Sequence, residues 1–182
     1  MKNLFLIFAA LLIINCTASA QSYMTKNGKI SFFSKTDIEN IDAVNNQAVS
    51  VLNTQNGEIA FSVLVNGFLF KKALMQEHFN ENYMESAKYP KAGFKGTIND
   101  LTKVDFKKDG AYNVSVTGDL TMHNITNKVT VPAVIQVKAG KISANAVFNA
   151  KLDDYKIAVP KVVENNISKT IEVKVDCNYE AR

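Results

Sequence analysis

Along most of the chain, hydrophobic positions recur at every second residue. In Gly57–Val65 (GEIAFSVLV), Ile59, Phe61, Val63 and Val65 fall on one face, and Glu58, Ala60, Ser62 and Leu64 on the other. This is the pattern of a strand buried on one side. It returns as Tyr112, Val114, Val116, Gly118 and Leu120, and then as Val129, Val131, Ala133, Ile135 and Val137. Two further runs follow: Ile142, Ala144, Ala146 and Phe148, then Ile171, Val173, Val175, Cys177 and Tyr179. Asn56-Gly57, Asp109-Gly110 and Ala139-Gly140 each stand between two such runs. Glycine there can take the positive φ of a tight hairpin, so sequential strands are expected to be antiparallel neighbours. The pattern predicts about eight strands: Lys29–Lys35, Gln47–Thr54, Gly57–Phe70, Gly93–Phe106, Ala111–Met122, Lys128–Lys138, Lys141–Lys151 and Lys169–Tyr179.

One segment departs from the two-residue period. In Ala73–Ala87 (ALMQEHFNENYMESA), Met75, Phe79, Tyr83 and Ala87 are spaced by four, with Leu74 and His78 beside them. The spacing predicts an amphipathic helix, stopped by Lys88-Tyr89-Pro90 and inserted in the middle of the strand order.

An open meander of eight strands would leave two edges with unpaired backbone groups. Closure removes both, and a closed barrel of this size is just wide enough for packed side chains or one slender ligand. A two-sheet sandwich is the competing solution. Small residues on the presumed inner faces (Gly118, Ala133, Ala144, Ala146 and Ala150) favour a barrel with space inside. The expected fold class is therefore all-β with one inserted helix, built as an eight-stranded antiparallel β-barrel.

The N-terminal twenty residues add an address. Lys2, the apolar run Leu4–Ile14 and the small-residue ending Ala18-Ser19-Ala20 have the form of a secretory signal peptide, with cleavage expected before Gln21. The apolar run is too short to span a bilayer, and no later segment is long and apolar enough. Cys16 admits lipoprotein processing as an alternative, but Asn15 before it is bulkier than such processing prefers. Residues 21–182, about 160 in number, are expected to form one exported domain, secreted across a membrane, with no stable membrane span.

Composition narrows the chemistry. The 21 Lys and Arg against 17 Asp and Glu give a net charge of +4, dispersed rather than drawn into a basic stripe, which argues against nucleic acid as a partner. After cleavage only Cys177 remains, so no internal disulfide can form. His78 and His123 are the only histidines, and no HxH, HxxxH or CxxC spacing occurs. A metal site and catalysis are both disfavoured, since each needs several converging groups. His123 lies in a turn with Asn124, Thr126 and Asn127 and is read as a turn-fixing residue. His78 is read as a histidine at the boundary between helix and barrel, with the polar end of a ligand as the alternative contact. Cys177 is read as a buried, inert thiol.

Four stretches carry a resemblance. HFNENYMESAKYPKAGFKG, GDLTMHNITNKVTVP, FNAKLDDYKIAVP and ISKTIEVKVDC resemble, in order, signature segments of the YceI-like family of exported bacterial lipid-binding proteins. The resemblance covers nearly the whole chain after the signal peptide. It implies a lipocalin-like barrel holding a polyisoprenoid or other long amphiphile in a bacterial periplasm. Three positions depart from the family pattern: Asn124 and Lys156 stand where glycine is usual, and Lys128 where proline is frequent.

Together these readings point to a non-enzymatic container. No cofactor is expected; the ligand would be an isoprenoid, a quinone or a fatty amphiphile, a hydrophobic small molecule held for transport, storage or sequestration. The expected lining is Phe32, Phe61, Val63, Phe68, Phe94, Val114, Val116, Leu120, Val131, Ile135, Ala146, Phe148 and Val173. Met75, His78, Phe79, Tyr83 and Met84 would place the helix across one mouth, where its movement would gate entry. The alternative is a closed barrel acting as an interaction module of the cell envelope, and homodimerisation is left open.

Overall fold

The computed structural model describes residues 22–182, so the signal-peptide reading and Cys16 lie outside the described residues. Nine strands run in chain order as β1 (Ser22–Lys35), β2 (Asn40–Asn53), β3 (Glu58–Leu64), β4 (Leu69–Phe70), β5 (Lys91–Ile98), β6 (Gly110–Met122), β7 (Ile125–Lys138), β8 (Lys141–Lys151) and β9 (Thr170–Ala181). All neighbouring pairs are antiparallel. The order β1-β9-β8-β7-β6-β5-β3-β2 is closed by pairing of β1 with β2, giving an eight-stranded barrel. The two-residue β4 pairs with β2 beyond the end of β3. Closure leaves no long edge exposed, which is the physical reason an alternating meander of this length curls up.

The inner faces follow the sequence alternation, but several boundaries move. The expected strand Gly57–Phe70 breaks at a 3-10 turn, Val65–Gly67. The break is held by Asn45, which is fully buried. Its amide donates to the Leu64 carbonyl at 3.0 Å, and its Oδ1 accepts from the Gln47 N–H at 2.8 Å. Gly67 is needed there, because a Cβ would lie 2.7 Å from the Asn45 amide nitrogen. Strand β2 begins at Asn40, earlier than the expected Gln47, because residues 40–45 pair with residues 30–35 of β1. The pairing of β1 with β2 shifts register on both sides of Gly28 and Ala48, so inward positions pass from Asn45 to Ala48 and alternation is lost.

Asp109-Gly110 is not a hairpin turn. Strand β5 ends at Ile98, short of the expected Phe106, where Asp100 adopts a left-handed conformation and a 3-10 turn covers Leu101–Lys103. Gly110 simply opens β6, and Asp109 accepts the Ala139 N–H at 2.9 Å. Asn56-Gly57 and Ala139-Gly140 do make turns, with Gly57 at φ 73° and the latter pair at φ 49° and 73°. The helix is also shorter than expected. It runs as α1 (Ala73–His78) and continues as one π-helical stretch, Phe79–Tyr83. Glu85 then turns left-handed at φ 44°, so Ala87 lies in a turn.

Connections sort the barrel into two ends. The turns at 54–57, 99–109 and 139–140 close one end, over a core that includes Leu52, Ile98, Val104, Ile135, Ile142 and Cys177. Tyr179 is buried in this core and exchanges a 2.7 Å hydrogen bond with the Ser50 hydroxyl. The opposite end carries the 36–39 turn, α1 with its π stretch, the 123–124 turn and the long 152–169 connection.

Candidate functional site

The interior is not filled at the end that carries α1. A cavity of ≈ 300 Å³ lies there. A smaller one of ≈ 60 Å³ lies towards the closed end, and both are bordered by Phe61, Phe148 and Val175. The larger cavity receives Phe32, Phe61, Val63, Phe68, Leu120, Phe148 and Val173 from the barrel wall. Phe61, Phe94, Val116, Val131, Ile135, Ala146 and Phe148 line the smaller one. Val114 borders neither and packs against the closed-end core. All five helix residues singled out from the sequence (Met75, His78, Phe79, Tyr83 and Met84) border the larger cavity.

The helix is held over the cavity by aromatic packing. The Phe79 ring stacks on Phe32 with centroids 5.4 Å apart, and meets Phe68 and Phe70 at 5.8 and 5.0 Å. Phe32 in turn contacts Phe68 and Phe70 at 5.4 and 5.7 Å. Gln76 adds a polar tether, accepting the Phe70 N–H at 3.2 Å. The π stretch widens the turn, and the Met84 N–H reaches back five residues to the Phe79 carbonyl at 2.9 Å. Such widened turns often mark functional segments. Here the stretch places Phe79, Tyr83 and Met84 on the cavity side.

Polar groups are few: the buried Ser34 hydroxyl, which accepts the Ser168 N–H at 2.8 Å, and Glu39, His78, Tyr83 and Asn166. Glu39, from the 36–39 turn, binds the Lys72 ammonium at 2.9 Å. The Lys72 hydrogen bond holds the Glu39 carboxyl below its ordinary range, partial burial opposes this, and Asn166 also favours the ionised form. Three chain segments therefore meet at this carboxylate. Burial pushes the Tyr83 phenol up. His78 is exposed at the rim. Among the described residues, no lysine or arginine lines the cavity.

His123 lies outside the cavity and bridges the elements that frame it. Its Nε2 meets Glu85 Oε2 at 2.7 Å, its Nδ1 meets the Tyr155 carbonyl at 3.2 Å, and Tyr89 packs edge-on at 4.8 Å. Both ring nitrogens face oxygen acceptors, so the imidazole ties the segment after the π stretch to the β6–β7 turn and to the Asp153–Tyr155 turn. The Glu85 carboxyl is held below its usual range, first by this hydrogen bond. His123 and Asn124 are left-handed at φ 49° and 60°, and Lys156 at 53°. The two positions where glycine is usual thus keep a glycine-like backbone with a side chain in place.

The sequence reading missed part of the lining. Ile30, Ala150, Ile171 and Val175 share inner faces with residues it named, and the alternation carries them. Ile41 sits in the unrecognised first half of β2, while Leu152, Ile157, Val163 and Ile167 come from the 152–169 connection, which has no period to read. Among the described residues, no three His, Cys, Asp or Glu side chains converge in a manner able to hold a metal ion. None of the helices described is long and apolar enough to cross a membrane.

This closed barrel recurs in solved structures. Residues 17–179 match the YceI-like domain. The chain belongs to the YceI-like family. Among solved structures, it is similar to a polyisoprenoid-binding domain from Saccharophagus degradans, with a TM-score of 0.78 at 15% identity, covering 90% of this chain and 100% of that one. It is also similar to Burkholderia cenocepacia BcnA, with a TM-score of 0.68 at 17% identity, covering 84% and 96% of the two chains. A Campylobacter jejuni YCEI protein gives a TM-score of 0.57 at 16% identity, covering 87% and 86%. No curated protein sequence matches the chain. At these identities the YceI-like relatives establish the barrel, and the cavity must speak for its own contents.

Proposed function

We propose that this YceI-like protein is an exported, non-enzymatic carrier that holds a prenyl lipid, prenyl quinone or similar long amphiphile inside its barrel. The observation that carries the reading is the ≈ 300 Å³ cavity walled mostly by aromatic and aliphatic side chains, with few polar groups and, among the described residues, no lysine or arginine. The description of the S. degradans relative as a polyisoprenoid-binding domain supports it.

The energetics suit a hydrocarbon chain. Burying one CH₂ contributes about 0.8 kcal/mol, so a five-carbon unit contributes roughly 4 kcal/mol. Association costs about 4–15 kcal/mol, and micromolar affinity requires about 8 kcal/mol net. Roughly three to six buried units therefore suffice with no polar anchor. Enzymatic chemistry finds less support. A general base needs an accessible basic atom, and both nitrogens of His123 are engaged by Glu85 and Tyr155.

The test is solvent extraction of natively exported protein followed by mass spectrometry, beside an unrelated exported protein purified identically. A stoichiometric prenyl lipid, quinone or fatty amphiphile supports the carrier. An empty extract, repeated after incubation with a broad lipid mixture, overturns it in favour of a closed interaction module.

A further inference from the structure

The residues that line the two cavities have three members in common, Phe61, Phe148 and Val175, which stand where one space ends and the other begins. Phe61 comes from β3 and Phe148 from β8. In the closed strand order three strands lie between β3 and β8 whichever way round the barrel is followed. The two side chains therefore enter the interior from opposite walls, with Val175 on β9, the strand next to Phe148.

The smaller cavity exists because small residues meet across the sheet behind this boundary. Ala133 of β7 pairs with Ala146 of β8, and both line it. It is walled mostly by aliphatic and aromatic side chains, so it offers few partners to a water molecule and a favourable place to the end of a hydrocarbon chain. Phe94 lines this cavity and not the larger one, and its ring packs against Phe61 with centroids 6.4 Å apart. The Phe61 ring is thus braced from the closed end of the barrel.

We propose that Phe61 and Phe148 form a partition that limits the length of hydrocarbon chain the barrel accepts. The chain lies in the larger cavity, its far end stops against these two rings, and the smaller cavity behind them stays out of the binding space. This rests on the carrier reading above. The specificity concerned is the number of repeating units in the chain, not the identity of its head group.

The test is a titration of geraniol, farnesol, geranylgeraniol and longer all-trans polyprenols against wild type, F61A, F148A and the milder F61L and F148L, each checked for native circular dichroism. In wild type, affinity should rise with each added unit and then level off. In F61A and F148A the levelling point should move to a longer chain, with about a tenfold or greater gain for the first alcohol beyond the wild-type plateau. The leucine variants should shift it less. Ala133 borders only the smaller cavity, so A133L fills that space alone. Added to F148A, it should bring the plateau back towards wild type; by itself it should leave the wild-type plateau in place. A plateau shortened by A133L alone would mean that the chain already passes the rings, and overturns the partition. An unchanged levelling point in all four Phe61 and Phe148 variants overturns it too, and leaves the carrier reading intact. If wild type binds no alcohol of any length, the carrier reading fails and the partition falls with it.

Discussion

If α1 is the gate of the barrel, the Phe79 ring is its latch, and F79A should open it. Phe79 meets three phenylalanine rings, those of Phe32, Phe68 and Phe70, at 5.4, 5.8 and 5.0 Å. Each such pair contributes about 0.5–1.5 kcal/mol beyond area burial, so truncation removes roughly 3 kcal/mol from the closed position of the helix. That is about a hundredfold in the equilibrium between closed and open helix. Phe79 is only half-buried, and the barrel strands do not depend on it, so global unfolding should shift less than release does. The assay loads the protein with a fluorescent prenyl alcohol and mixes it in a stopped flow with excess phosphatidylcholine vesicles. The expected result is release from F79A accelerated by about one to three orders of magnitude, with F79L in between because it keeps bulk but loses the ring contacts. Uptake and release unchanged in F79A and in Y83A, with the fold intact, would refute the gate.

Three further outcomes follow from the site and its supports. Prenyl alcohols and quinones should bind more tightly than the matching prenyl pyrophosphates in equilibrium titration, because no lysine or arginine lines the cavity among the described residues and an ionised Glu39 stands at its rim; tighter pyrophosphate binding would contradict this. Cys177 is fully buried, and desolvation pushes its thiol up to about 12, so iodoacetamide should not label native protein at pH 8 but should label it in denaturant. The folded state keeps this proton while the unfolded chain loses it, so the contribution is whole below the unfolded thiol pKa and is lost as pH rises towards 12, on the order of 4 kcal/mol, which alkaline denaturation of wild type against C177A should reveal. Glu85 has a lowered pKa, caused first by His123, so its stabilisation is present above the ordinary carboxylate range and lost as pH falls through its folded value. E85Q should therefore flatten the acid limb of the melting temperature against pH; an identical limb in E85Q would show that this pair does not hold the fold.

Residue alternation made the barrel wall legible in the sequence. Ile59, Phe61 and Val63, or Ile142, Ala144, Ala146 and Phe148, can bury one face only as strands, and a closed sheet is the economical way to bury all such faces at once. The helix residues Met75, Phe79 and Tyr83 were equally readable from their spacing of four. Local pattern failed where a distant partner decided the conformation. Asn45 looks like one polar residue in the run Asn45-Asn46-Gln47, yet its buried amide fixes both the register shift of β2 and the break after Leu64, nineteen residues on. Asp109-Gly110 has hairpin chemistry, but Asp109 is claimed by the backbone of Ala139 from another turn. The wall contributed by Leu152, Ile157, Val163 and Ile167 has no period, because a loop side chain reaches the interior only through the fold around it. By itself the sequence determined which faces are apolar; the tertiary structure decided that they close into a barrel rather than stack as two sheets, and how far the interior is filled, since both depend on which strands and rings meet across stretches that the chain order leaves far apart.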